Sequence, residues 1–584
     1  MFTSDVYPEC DGQSDEVACD AKKLDEANKS KVKAQIFTHL LYRHWNAYKE
    51  GKRTHIFVDS IFEIPPAGRS MGDHPASIPR DLTPGDYDAP VFSLGGQDNY
   101  AFSPDGQEIC YTSNHDKNPA ASTNNDLWIV PVNGAADASS AEVLAHTKNI
   151  TADNPASDST PLYSPDGRYI AYRAQQRPGY ESDRFRLMLY DRKTGEKKNL
   201  TEDFDGWVGT MTWLGPVLLF SSEQEGQSPI FYTSPNGQQP RKILDGFLDD
   251  LTYSEKSGVA AYTRMSLEAP TQIFVSALSW GRLAHGNPSK PSNQPPFVNL
   301  GISDRLTHLN DAVLTQVAMS PLESFWFNGA HNDKVEGFLV KPPNFDASKK
   351  YPVKFLIHGG PQGAWGDDWS YRWNPELFAS PTSSTPSGYV VIMINFHGST
   401  GYGQKFIDAI NGDWGGAPFE DLMKGLDYAE EHFAFIDKDR ECALGASYGG
   451  YMANWVLGHT DRFKCIVTHD GMFNAESAWG TTEELWFNDW EFKGTPYDNR
   501  AMYEKWSPST YAKNFKTPTL VIHGQKDYRL DVSQGFDLFT TLQMEGVPSE
   551  MLYFPDEGHW VQKPQNSQLW YKTVNDWVDR WTKK

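Results

Sequence analysis

Gly445-Ala446-Ser447-Tyr448-Gly449 lies between a short apolar run and an apolar-striped stretch of helical period. A Gly-x-Ser-x-Gly turn in that setting pushes a serine hydroxyl out at the top of an α/β sheet. The two glycines let strand and helix close around a strained serine. With 47 glycines in the chain the pentapeptide alone decides little. Its partners must carry the reading.

Leu520-Val521-Ile522-His523-Gly524 is an apolar run followed by Gln525-Lys526-Asp527. Met551-Leu552-Tyr553-Phe554 is a second, followed by Pro555-Asp556-Glu557-Gly558-His559. A carboxylate and then a histidine, each just past a strand, reproduce the Ser…Asp…His order of α/β-hydrolases. Serine is a poor nucleophile at neutral pH, so an imidazole must take its proton during attack. Asp527 would hold the His559 ring in the right tautomer and stabilise the imidazolium. Ser447, Asp527 and His559 are therefore the candidate catalytic residues.

Tyr351 to Ile357 runs into His358-Gly359-Gly360-Pro361, a glycine turn that exposes backbone N–H groups. In this fold one oxyanion donor comes from such a loop and the other from the residue after the nucleophile. Gly360 and Tyr448 take those roles through their amides. Tyr389 to Asn395 and Lys464 to Val467 read as buried strands; Phe419 to Phe433, Ser533 to Glu545 and Asn566 to Trp581 read as amphipathic helices. Alternation of this kind predicts a mostly parallel sheet with helices on both faces, an α/β-hydrolase catalytic domain spanning residues 313–584.

The first half is aromatic-rich and repetitive. Ser103-Pro104-Asp105-Gly106 and Ser164-Pro165-Asp166-Gly167 each precede a strand, and each is followed by a second strand at Asp126 to Val130 or Phe185 to Tyr190. Fainter copies follow at Met211 to Ser221 and Leu251 to Thr263. A period of about 40 to 60 residues predicts four-stranded blades and hence an N-terminal β-propeller over residues 1–312, with a β-sandwich as the alternative. Met1-Phe2-Thr3-Ser4 lines up with Cys110-Tyr111-Thr112-Ser113, the middle of a blade, so an incomplete propeller that starts mid-blade is expected. Leu41-Tyr42-Arg43-His44-Trp45 reads as an insertion that reaches the active site or packs on the propeller.

The 53 basic residues stand against 76 acids, a net charge of −23 that argues against nucleic acid and anionic membrane surfaces as partners. No apolar run approaches the length of a membrane span. No signal peptide is legible; a periplasmic or secreted location requires one upstream of this chain, and a cytoplasmic one does not. Of the five cysteines, Cys10 and Cys19 could pair in an oxidising compartment, while Cys110, Cys442 and Cys465 read as core. The histidines His358, His397 and His523 are scattered, the Gly-x-Gly stretches lack a phosphate-loop lysine, and neither a metal nor another cofactor is expected.

Together with Gly398-Ser399-Thr400-Gly401-Tyr402-Gly403, Gly412-Asp413-Trp414-Gly415-Gly416 and Trp506-Ser507-Pro508, these motifs make the chain resemble the prolyl oligopeptidase family of serine peptidases, in its acylaminoacyl-peptidase-like branch with dipeptidyl-peptidase 5-type enzymes. The resemblance implies a peptidase acting on short peptides through an acyl-enzyme and releasing N-terminal dipeptides. An acylaminoacyl peptidase or oligopeptidase, a carboxylesterase and a vestigial hydrolase whose propeller is a binding scaffold are the alternatives. It further implies that Arg529 holds a substrate carbonyl and that Met472 and Phe473 belong to the S1 pocket. Glu483 and Glu484 are candidates for a substrate amine by chemistry alone. Two points depart from the family pattern: His397 stands where an arginine is usual, and the leading blades are missing. The resemblance leaves room for a homo-oligomer.

Overall fold

The structure, a computed structural model, describes residues 1–13, 15–59, 79–132, 140–281 and 296–583. Contacts within the chain divide it into two compact units. One comprises Met1–Tyr42, Tyr48–Glu181 and Phe185–Glu202; the other comprises Arg43–Ala47, Ser182–Arg184 and Asp203–Lys584.

An eight-stranded sheet dominates the second unit. Its strands are Glu323–Asn328 (β1), Lys334–Val340 (β2), Tyr351–Ile357 (β3), Val390–Asn395 (β4), Ile436–Ala446 (β5), Cys465–His469 (β6), Thr519–Gly524 (β7) and Ser549–Phe554 (β8). They lie in the order β1-β2-β4-β3-β5-β6-β7-β8. The pairs β1–β2 and β2–β4 are antiparallel, and every later pair is parallel. Every residue of β3, β4, β6 and β7 is buried, as a parallel sheet covered on both faces requires.

The period-two alternation along each strand sorts these residues into two cores. Phe355, Ile357, Ile392, Ile394, Ala443, Ile466 and Val521 pack on one face. There they meet Leu422 and Leu426 of Ala417–His432 (α1), Met452 and Val456 of Tyr448–His459 (α2), and Leu538 and Leu542 of Ser533–Met544 (α3). Leu356, Val391, Met393, Leu444, Val467, Leu520 and Ile522 pack on the other. Their cover is Trp570, Val574, Trp577 and Val578, one stripe of Pro564–Thr582 (α4). The expected strands and helices are thus found, with ends displaced by a few residues.

Cys442 and Cys465 also lie in this second core, and here the structure corrects the reading. They are register partners on β5 and β6, and their sulfurs are joined as a disulfide. Cys10 and Cys19 are joined as well, and Cys110 is buried and free.

Ahead of this sheet, four antiparallel four-stranded sheets follow one another along the chain. Two fall in the first unit, between Tyr100 and Asn199, and two in the second, between Met211 and Arg305. The doubled Ser-Pro-Asp-Gly motif closes equivalent turns in the first two. Ser103 Oγ donates to Asp105 at 2.6 Å, and Ser164 Oγ to Asp166 at 2.6 Å. Gly106 and Gly167 both take φ 69, the left-handed conformation such a turn needs. A three-stranded sheet pairs Phe2–Val6 with Arg53–Val58 and the latter with Arg80–Asp81. These sheets have the stranding of blades, but the described residues do not establish a closed propeller. Among the described residues no helix is long and apolar enough to cross a membrane.

One residue of β3 breaks the apolar pattern. Lys354 is fully buried, and its Nζ donates to the Phe378 carbonyl at 2.9 Å and to Asn575 at 2.7 Å. Burial pushes its ammonium down to about 7, with the Asp579 carboxylate opposing. Above that value the folded chain has released a proton that the unfolded chain keeps up to about 10.5. Stability contributed at this site therefore rises with pH across that window and is flat below it. Relative to Lys354→Met, the wild-type urea midpoint should climb between about pH 7 and pH 10; parallel midpoints over that range would contradict the account.

Candidate active site

At the C-terminal end of β5 the chain reverses into α2 with no loop between them. Ser447 forms the joint at φ 59 and ψ −121, a conformation that costs a non-glycine residue of order 1–3 kcal/mol. Its N–H donates to the His469 carbonyl at 3.0 Å. Glycine is required on both sides. A Cβ on Gly445 would fall 2.2 Å from the Gly449 oxygen, and one on Gly449 would fall 2.1 Å from the Ile357 oxygen. The turn at His358-Gly359-Gly360-Pro361 lies against the serine, because a Cβ on Gly359 would stand 3.2 Å from Ser447 Cβ. Gly360 takes φ 120 in that turn. Tyr448 opens α2, so its N–H lies outside the intrahelical ladder, while its phenol donates to the Trp414 carbonyl at 2.5 Å.

Asp527 and His559 follow β7 and β8, at the same edge of the sheet as Ser447. His559 Nδ1 lies 2.7 Å from Asp527 Oδ2. With the carboxylate ionised, Nδ1 carries the proton and donates, which leaves Nε2 as the basic nitrogen. The other oxygen, Oδ1, accepts from the amides of Arg529 at 3.0 Å and Leu530 at 2.9 Å. Burial alone would raise this carboxyl; the charges and hydrogen bonds of His559 and His523 outweigh it and hold Asp527 well below the ordinary carboxylate range. A base oriented by an ionised acid, on the sheet edge that also carries a half-buried serine in a strained turn, can run acyl transfer.

The Arg43–Ala47 stretch does reach this region. Trp45 meets the His559 ring edge-on at 5.5 Å and the Trp560 ring at 5.0 Å between centroids. Its carbonyl accepts from the Tyr528 amide at 3.1 Å, one residue from Asp527. Arg43 donates to the Thr481 carbonyl at 2.7 Å, and His44 is paired with Glu483.

The remaining predicted residues are paired or buried. Arg529 is bound by acids on both arms, Nε to Glu483 at 3.0 Å and NH2 to Glu484 at 2.5 Å, with its guanidinium 5.0 Å from the Trp45 ring. Burial would raise the Glu483 carboxyl, but His44 and Arg529 together hold it below its ordinary value. Both glutamates thus serve Arg529. Met472 and Phe473 are each 1% exposed and belong to the core between sheet and helices. The structure does not bring their side chains to the surface of the site. His397, in the family's arginine position, is buried with Nδ1 2.6 Å from Asp421.

Two groups of histidine and acid atoms among the described residues are compact enough for a metal: Asp11, His55 and Asp81, and Asp470, His523 and Asp527. Each histidine already has a protein partner. His55 spans Asp81 at 2.6 Å and the Gly85 carbonyl at 2.9 Å through its two nitrogens. His523 Nε2 donates to the Leu530 carbonyl at 2.7 Å. Asp470 was not singled out from the sequence, where it reads as an ordinary acid after a strand.

Residues 369–584 match the Prolyl oligopeptidase family. A dipeptidyl-peptidase 5 of Schizosaccharomyces pombe is 34% identical over 94% of this chain and 75% of its own. One from Porphyromonas gingivalis is 32% identical over 100% of this chain and 77% of its own. The chain belongs to the prolyl oligopeptidase family. It is a serine-type peptidase. Among solved structures, Pyrococcus horikoshii acylaminoacyl peptidase superposes with a TM-score of 0.74 at 20% identity, covering 95% of this chain and 78% of the other. A puromycin hydrolase superposes with a TM-score of 0.62 at 18% identity, over 86% and 71%. At those identities the likeness speaks for the fold.

In this family member the elbow leaves no room for a methyl group. Gly449→Ala should cost at least about 2 kcal/mol, as overpacking against backbone does, and should abolish turnover. Urea unfolding followed by tryptophan fluorescence checks it, and a midpoint equal to wild type would refute the packing argument.

Proposed function

We propose that the protein hydrolyses short peptides through an acyl-enzyme on Ser447 and releases N-terminal dipeptides. The observation that carries the reading is the 2.7 Å contact between His559 Nδ1 and Asp527, at the sheet edge where Ser447 forms a strained elbow. His559 Nε2 takes the Ser447 proton as Oγ attacks the scissile carbonyl, and the Gly360 and Tyr448 amides hold the oxyanion. The same proton passes to the leaving amine as the C–N bond breaks, leaving an ester. Water then attacks that ester, giving its proton to His559, and the acid product leaves as Oγ recovers its proton. The relatives named dipeptidyl-peptidase 5 supply the dipeptide as the product.

The four antiparallel sheets are, in this reading, propeller blades, with the boundary of the catalytic domain at residues 312 and 313. Arg529 remains the candidate for a substrate carbonyl, presented by Glu483 and Glu484 with its stacked face on Trp45.

A specific observation supports a second reading. Glu483 and Glu484 are both taken up by Arg529, so neither is assigned to a free substrate amine, and an acylated N-terminus fits the site as well. The two readings separate in a peptide library with free and blocked N-termini, read by mass spectrometry. Dipeptides released from free termini support the first, and acylated residues released from blocked termini support the second. Ser447→Ala should lower kcat by at least about 10⁴-fold and abolish labelling by a fluorophosphonate; a variant with near-wild-type turnover would defeat the assignment.

A further inference from the structure

Asp470 follows β6 directly at φ 49 and is 1% exposed. Its carboxylate faces the neighbouring His469 and titratable or cationic groups from three other parts of the second unit. His469 Nε2 stands 2.9 Å from Oδ2 without hydrogen-bond alignment, His523 Nε2 stands 3.8 Å from Oδ1, and His559 Nδ1 stands 3.8 Å from Oδ2. Arg372, stacked on Trp560 at 4.2 Å, also feels its charge. Neither carboxylate oxygen is hydrogen bonded. A buried carboxylate without hydrogen bonds is costly unless the charges around it repay the loss of water.

Two carboxylates in one buried space ordinarily force one of them to keep a proton. Here His523 lies between them, with Nε2 3.5 Å from Asp527 Oδ2 and 3.8 Å from Asp470 Oδ1. Its ring is fixed by donation to the Leu530 carbonyl at 2.7 Å. Burial alone would lower its basicity, but the Asp527 hydrogen bond and the Asp470 charge raise it to about 9.

We propose that Asp470 is a positioning residue for His559. Its negative charge beside Nδ1 favours the imidazolium that forms when Ser447 loses its proton, and His523 is the cation that lets both acids stay ionised. The triad has Asp527 as its acid; Asp470 adds a second field from the neighbouring strand end, without a hydrogen bond to the ring. The proposal rests on His559 being the general base.

The test is the pH dependence of kcat/KM for the full chain, whose acidic limb reports protonation of the base in free enzyme. Asp470→Asn removes a negative charge, so the imidazolium is less favoured. The limb should move to lower pH by about one unit, with kcat reduced about tenfold. His523→Gln removes the cation that keeps both acids ionised, so one of them holds a proton and the limb should again move to lower pH. Asp470→Glu, which keeps the charge, should return the limb toward wild type and recover part of the loss. A limb that moves with the charge at position 470 is a signature that a merely structural role does not give. A limb in Asp470→Asn that coincides with wild type, with fluorophosphonate labelling at Ser447 intact, overturns the proposal. If Asp470→Asn does not fold, His523→Gln decides: a limb at or above the wild-type position overturns the proposal. A wild-type enzyme that fails to label at Ser447 would instead sink the triad reading, and this proposal with it.

Discussion

The backbone of Ser447 is held at φ 59 by what surrounds it and not by its own preference. On one side β5 is anchored between β3 and β6, and on the other α2 is buried along nearly its whole length. Between them the carbonyls of Ile357 and Gly449 approach so closely that only hydrogen fits at Gly449 and Gly445. The strain is repaid by two apolar cores on opposite sheet faces. Every candidate catalytic group depends on that sheet edge. The His358–Pro361 turn extends β3, Asp470 extends β6, Asp527 extends β7 and His559 extends β8.

The charge arrangement behind the site follows from the same edge. Parallel strands deliver the residues at their ends to one edge, so β6, β7 and β8 bring two acids and three imidazoles into a buried space. In such surroundings each charge is governed by its neighbours more than by solvent. His523 reads in the sequence as part of a strand, yet the fold places its ring between Asp470 and Asp527. His44, Glu483, Glu484 and Arg529 form a second such group, organised around Trp45.

Much of this was legible beforehand because it is local. The elbow, the two strand ends carrying Asp527 and His559, and the stripe of α4 are each short-range patterns that alternation and spacing reveal. What was not legible depends on which strands are neighbours. Cys442 and Cys465 are visibly core residues, but their pairing requires β5 and β6 to be adjacent in register. Asp470 looks like any acid past a strand until β7 and β8 bring His523 and His559 beside it. The pairing of Arg529 with Glu483 and Glu484 and the burial of Met472 and Phe473 against the helices likewise depend on segments distant in sequence. The four antiparallel sheets lie between these cases: Ser103 and Ser164 fix their turns locally, while closure of a ring is a long-range property.

The stretch Arg43–Ala47 has a consequence for how the hydrolase half can be handled. Although it occurs near the beginning of the chain, its indole ring, its carbonyl at Trp45 and the guanidinium of Arg43 are fastened to residues 481 to 560. An excised segment beginning near residue 313 would keep the whole eight-stranded sheet, yet would lack the indole that backs the His559 imidazole. One wall of the His559 site is thus encoded some 280 residues upstream of the first strand of that sheet, and any fusion or permutation cut at residue 313 would leave that wall behind.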